Sequence, residues 1–157
     1  MTSKELKIAY LEYERLEELD PLDQKVAYAA IEAMEGSYAP YSRFNVGAAV
    51  MLEDGVIVKG SNQENAAYPS GMCAERTALY YAGASYPDKA AVTLAIAAGQ
   101  NGKLCTNPAT PCGACRQVMA QSQLRGGQAM SVILVGSEKI WRFDKVDDLL
   151  PLIFDSI

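Results

Sequence analysis

Apolar and polar positions alternate along this chain in two distinct rhythms, and the boundaries between them fall at recognisable turn residues. Val26, Ala29, Ile31, Ala33 and Met34 recur behind Asp20-Pro21-Leu22-Asp23. A capping acid, a proline at the first helical position and a second acid in the first turn predict a buried helix that starts there and ends near Gly36. Residues 44–52 and 56–58 are continuous apolar runs separated by Asp54-Gly55, which predicts two strands joined by a hairpin turn. Residues 60–72 hold Asn, Gly, Pro and Ser and predict loop, followed by a helix over 73–82 that stops at Gly83. Strands are then expected at 91–97, 130–135 and 139–143, with a polar loop at 99–110 and a short helix at 113–121. Over 4–18 the alternation of Leu6, Ile8 and Tyr10 is set among helix-forming Glu and Leu, and the expectation is an edge strand. Strands separated by helices predict a layered α/β architecture, with neither repeats nor an internal boundary.

Composition narrows the classes. The 157 residues suffice for one domain with a real core, and 50% hydrophobic against 21% charged residues excludes disorder and coiled coil. Fourteen Lys and Arg against 19 Asp and Glu leave a net charge of -5, which repels phosphate backbones and anionic membranes, so polymeric nucleic acid is not an expected partner. The most apolar stretch, residues 90–98, is far below the ~20 residues a bilayer requires, and the mixed charges at the N-terminus predict neither signal peptide nor membrane span. The expected compartment is the cytoplasm, with Cys73, Cys105, Cys112 and Cys115 reduced and available to a metal or to catalysis. There is no histidine at all, which removes the usual general base and the usual zinc ligand. Chemistry must run on carboxylates, thiolates or bound metal.

Pro111-Cys112-Gly113-Ala114-Cys115 spaces two thiols so that one turn can aim both at one ion. By itself the pair could equally be a redox couple, half of a four-thiol structural site, or coincidence. Cys73 supplies a third thiol at the start of its own predicted helix, where free N–H groups favour thiolate. Three thiolates match a zinc that keeps a position for water, whereas Cys105, in the loop before Cys112, could close the site as a fourth ligand. Glu75, two residues from Cys73, is placed to take a proton from water beside the metal. Three thiolates and Zn(II) carry one net negative charge, and Arg76, able to donate several N–H bonds to sulfur, is the candidate that offsets it.

Cys73-Ala74-Glu75-Arg76-Thr77-Ala78-Leu79, together with Pro111-Cys112-Gly113-Ala114-Cys115-Arg116-Gln117, closely resembles the small, homotetrameric zinc-dependent cytidine deaminases. The resemblance runs from about Tyr38 to Phe154. It implies a three-layer α/β/α fold around a mixed sheet of about five strands, with residues 1–19 an N-terminal extension and 20–157 the catalytic domain. It implies one zinc per subunit on Cys73, Cys112 and Cys115, with Arg76 and Gln117 beside the ligands. Asn62-Gln63-Glu64 is similar to the family's ribose motif, implying that Asn62 and Glu64 bind the sugar 3'-hydroxyl, while Tyr68 approaches a neighbouring subunit's ribose. The segment around Phe44 resembles the one whose phenylalanine packs on the pyrimidine, and backbone groups near Ala74 and Thr110 would read its edge. Phe154 looks like the residue that closes an adjacent protomer's pocket. Without the resemblance, Phe44 and Phe154 would be ordinary core residues, and Asn62 and Glu64 loop polars. The segment at 99–110 looks long for the family.

The activity implied is hydrolysis of a cyclic amidine C–N bond: cytidine and 2'-deoxycytidine become uridines with loss of ammonia, a step of pyrimidine salvage. Glu75 serves as base and then acid. A blasticidin-S-type deaminase shares the Cys-x-Glu and Pro-Cys-x-x-Cys segments and is the nearest alternative. A non-catalytic module closed by Cys105 is the other.

Overall fold

The structure is a computed structural model and describes residues 1–155. Seven strands form one sheet in which the expected elements recur with shifted ends. Strand β1 is Leu11–Tyr13, and helix α1 is Pro21–Ala33, entered through Pro21 as the sequence predicts and continued by a 3₁₀ turn to Gly36. Strands β2 (Asn45–Leu52) and β3 (Ile57–Ser61) form the expected hairpin, with Gly55 at φ +85° in its turn. Helix α2 (Ala74–Ser85) passes through Gly83 instead of stopping there. Strand β4 (Ala91–Gln100) runs into the segment expected as loop and turns back as the short β5 (Lys103–Leu104). Helix α3 (Gly113–Gly126), β6 (Ser131–Val135) and β7 (Ile140–Phe143) complete the order. The sheet order is β1-β7-β6-β4-β2-β3, with β5 hydrogen-bonded to β4; β1 is the edge strand expected within 4–18, and β5 adds to the expected strands.

Alternation along the central strands builds two cores. Ala48, Val50, Leu52, Leu94, Ile96, Val132 and Leu134 face α2 and α3, where they meet Ala78, Leu79, Met119 and Ala120. The intervening Ala49, Met51, Ala95, Ala97, Ile133 and Val135 face α1 through Val26, Ala27 and Ala30. A period-two switch between two apolar faces requires helices on both sides, which is why these strands read as unbroken hydrophobic runs.

Direction matters for the site. β2 is antiparallel to both β3 and β4, which makes those two parallel to each other, and β4 pairs with β6 in parallel. α2 and α3 are therefore the crossovers of two successive parallel units on one face of the sheet. Both begin at the carboxyl edge of the strands they follow. Gly60 lets α2 lie close, since a Cβ there would stand 2.5 Å from the Ala78 nitrogen and 2.8 Å from the Ala74 carbonyl oxygen.

The N-terminal segment forms the expected edge strand over only three residues. Residues 1–10 hold no regular structure, and pairing starts only at Leu11, opposite Arg142 of β7. Tyr10 stacks on Phe143 at 5.2 Å between ring centroids, and Glu12 accepts a 2.7 Å hydrogen bond from Trp141 Nε1. The side chains of β7, not the alternation of Leu6 and Ile8, decide where the strand forms.

Candidate active site

Each thiol is positioned by a helix start. Cys73 and Cys112 occupy the N-cap positions of α2 and α3 in extended backbone, and their carbonyls accept the first helical hydrogen bonds from Thr77 and Arg116. Cys115 follows in the first turn of α3 and is buried. The three sulfurs lie within 4.8 Å of one another, with Cys112 and Cys115 Sγ 3.5 Å apart. Thiolates about 2.3 Å from a tetrahedral zinc sit roughly 3.8 Å from each other, so the cluster already has the size such an ion requires. Cys105 lies outside it, tied through its backbone to Ala98 and Ser137, which removes the expected alternative of a fourth thiolate closing the site.

Local charge supports the same assignment. The Cys73 thiol is pulled down to about 5, first by the hydrogen bond it receives from Cys115 and then by the Arg76 guanidinium, against the opposing effect of burial. Cys115 moves the other way, raised by that same hydrogen bond and by its burial, so it holds a proton that a metal would displace. Arg76 places Nη2 3.5 Å from Cys73 Sγ, while its Nε is buried with no hydrogen-bond partner. A cation half-spent on sulfur fits a centre whose ligands carry net negative charge.

Glu75, the next residue along α2 from Ala74, is only 5% exposed. Burial raises its carboxyl above the usual range, and the neighbouring Cys73 charge adds to the rise. It opens onto a cavity of about 700 Å³ together with Cys73 and Cys112. Phe44, Asn62, Glu64, Tyr68, Ala74 and Thr110 line the same cavity, so the structure gathers these expected residues in one place. Tyr68, expected at a neighbouring subunit's site, sits here at the mouth of its own chain's cavity, edge-on to Tyr41.

One residue expected beside the ligands of this chain lies elsewhere. The Gln117 amide, placed by expectation near the thiolates, donates to the Phe154 carbonyl at 2.7 Å and accepts from the Phe154 amide at 3.4 Å. Phe154, expected at an adjacent protomer's pocket, is 69% exposed and does not line its own chain's cavity.

The sequence reading missed the supports beneath Asn62 and Glu64. Asn62 Oδ1 accepts from Ser37 Oγ and from the Val46 amide, and its Nδ2 donates to the Phe44 carbonyl. Those bonds tie down Phe44 and the start of β2 after it, and leave Asn62 one N–H for a ligand. Glu64 Oε2 accepts from the Tyr41 and Ser42 amides, and these bonds with the Ser42 hydroxyl hold its carboxyl below the ordinary value. Paired bonds between Gln63 and Met72, both 2.8 Å, close the neck of the loop. Short polar residues in a loop carry no periodicity, and only the fold reveals these partners.

Similarity to known proteins agrees with this geometry. The family model described as "Cytidine and deoxycytidylate deaminase zinc-binding region" matches residues 21–129. The cytidine deaminase of Halalkalibacterium halodurans is 49% identical over 98 residues, covering 62% of this chain and 70% of that protein. That of Mycobacterium tuberculosis strain H37Rv is 37% identical over 122 residues, 78% of this chain and 81% of that one. Among solved structures, the cytidine deaminase of Burkholderia pseudomallei superposes with a TM-score of 0.70 at 39% identity, over 83% of this chain and 97% of that chain. With three thiols sized for zinc and a buried glutamate on the same cavity, the chain belongs to the cytidine and deoxycytidylate deaminase zinc-binding family.

Proposed function

We propose that this protein deaminates cytidine and 2'-deoxycytidine by hydrolysis, giving the uridines and ammonia. The observation that carries this reading is Glu75, a buried carboxyl of raised pKa that shares one cavity with Cys73 and Cys112. Cys73, Cys112 and Cys115 would hold zinc, which supplies Lewis-acid activation of water when bound. Glu75 takes the proton released from water and delivers it to the base N3. Once the water oxygen is bonded to C4, the carboxylate takes that oxygen's second proton and passes it to the amine, which leaves C4 as ammonia, so one carboxyl acts as base and acid in turn. Phe44 offers its ring to the pyrimidine, and main-chain groups at Ala74 and Thr110 read the base edge. The remaining Asn62 N–H and the free oxygen of Glu64 suit a sugar hydroxyl.

The cavity walls favour nucleosides over nucleotides. Arg76 is the single cation among the lining residues and is engaged with Cys73, whereas Glu64 presents a carboxylate held ionised. A 5'-phosphate would enter unpaired beside negative charge, at a cost in affinity. Exposed aromatics at Tyr68 and Phe154 support a homotetramer in which subunits complete each other's sites.

An ultraviolet assay on zinc-loaded protein should show turnover of cytidine and deoxycytidine, little of deoxycytidylate, and less of blasticidin S than of cytidine. Zinc-replete protein that turns over no cytosine nucleoside would refute the activity. Full activity in a species sedimenting at the 16.9 kDa of one chain would refute the shared sites.

A further inference from the structure

Cys112 is the least protected of the three thiols. It is exposed, and it ends a stretch, residues 105–112, that has no regular secondary structure. Pro111 just before it has no amide proton, so the main chain of Pro111 itself can be held by hydrogen bonds only through its carbonyl. Arg116 does this: its Nε donates to the Pro111 carbonyl at 2.9 Å, and its backbone N–H donates to the Cys112 carbonyl at 3.0 Å. The same guanidinium reaches across with Nη1 to the carbonyl of Leu149, at 2.8 Å. Leu149 is buried in the core beneath α2 and α3 and ends a 3₁₀ turn at Val146–Asp148.

We propose that Arg116 is a positioning residue for the metal centre, fixing the exposed ligand Cys112 by clamping its loop to the buried residue Leu149. It touches no sulfur, which separates it from Arg76. The planar fork suits the task because two nitrogens with fixed relative directions meet two carbonyls from distant segments, which a lysine ammonium cannot reproduce with the same geometry. In the metal-free protein the clamp keeps Cys112 near its bound position. Without it, part of the zinc-binding energy goes into ordering the loop.

This inference rests on zinc binding at the three thiols, and competition with a chromophoric chelator tests both separately. Zinc dissociation constants are measured for wild type, Arg116→Lys and Arg116→Ala, with circular dichroism of the metal-free proteins as the check on folding. Loss of an outer partner of a metal site lowers affinity by about 10- to 100-fold, and weakening of that order is expected in both variants. Arg116→Lys, which keeps charge and length, serves if the alanine variant does not fold. Cobalt loading gives a second readout, because the ligand-field spectrum should change in shape when Cys112 is displaced. A wild type that binds no zinc overturns the metal centre and this inference with it. Wild-type zinc affinity and an unaltered cobalt spectrum in folded Arg116→Lys overturn the clamp alone.

Discussion

Replacing Glu75 with glutamine separates three roles that a single carboxyl fills here. Glutamine keeps the volume and polarity of the buried side chain but can neither accept nor release a proton at the required step. One general acid–base contact contributes about 10²- to 10⁴-fold, and Glu75 is assigned several successive transfers. With the side chain 5% exposed, bulk water has little access to substitute for it. A loss of at least about 10⁴ in kcat is therefore expected, equivalent to about 5.4 kcal/mol in the barrier. Zinc content should stay at one per chain, because no thiol is altered. Stability moves in the opposite direction to activity. Burial raises the carboxyl pKa in the folded metal-free protein, so the folded state binds more protons than the unfolded chain above the ordinary glutamate range. Stability of wild type then falls as pH rises from the unfolded pKa through the raised folded one, and the glutamine variant escapes that penalty. Metal-free Glu75→Gln should gain on wild type in urea midpoint at neutral pH, and the gain should shrink as pH drops below the unfolded value. Turnover within tenfold of wild type would refute the proton-shuttle role, and an advantage that grows towards acid would refute the assigned burial effect.

Three further outcomes follow from the same site. Arg76→Gln should raise the pKa of the metal-free Cys73 thiol from about 5 towards the ordinary value, which alkylation rate against pH would measure, although the hydrogen bond from Cys115 should keep it partly depressed. Zinc affinity of wild type should rise with pH by roughly tenfold per unit for each proton displaced, because the raised Cys115 thiol must lose its proton on binding; a flat profile would contradict the protonated state assigned to it. Gly60→Ala should lower stability by about 1–3 kcal/mol or more, since its methyl would meet the α2 backbone, and should weaken activity by moving Cys73 and Glu75; an unchanged melting temperature would refute that packing.

What could be read from the sequence depended on whether the signal was local. The Asp54-Gly55 hairpin, Pro21 at its helix start and the spacing of Cys112 and Cys115 each depend on residues a few positions apart, and the structure places all of them as expected. The edge strand expected within 4–18 forms at Leu11–Tyr13, where it meets Trp141 and Phe143 some 130 residues away, so local alternation bracketed it without fixing its ends. Helix ends at Gly83 and beyond Gln121 were missed for a related reason. A glycine lowers helix propensity by only about 1 kcal/mol, which packing of α2 and α3 against β2 and β4 outweighs. The resemblance implies Gln117 beside the ligands, yet the helix turns its amide towards the Phe154 backbone.

The convergence of Cys73 with Cys112 and Cys115 follows from strand order. Cys73 and Cys112 are 39 positions apart, and nothing in the intervening composition requires them to meet. Because β3, β4 and β6 run parallel, each crossover must return the chain to the opposite edge before the next strand begins. Two crossovers on the same face then start their helices side by side at the carboxyl edge, with both positive helix ends directed at one volume. A thiol at the N-cap of each helix, plus one in the first turn of α3, is enough to place three sulfurs within 4.8 Å there. A carboxyl in the first turn of α2 is then buried beside them. The absence of histidine adds the last constraint: with three thiolates and no neutral imidazole gathered at the site, the centre accumulates negative charge, and that charge gives the half-buried Arg76 its place against Cys73.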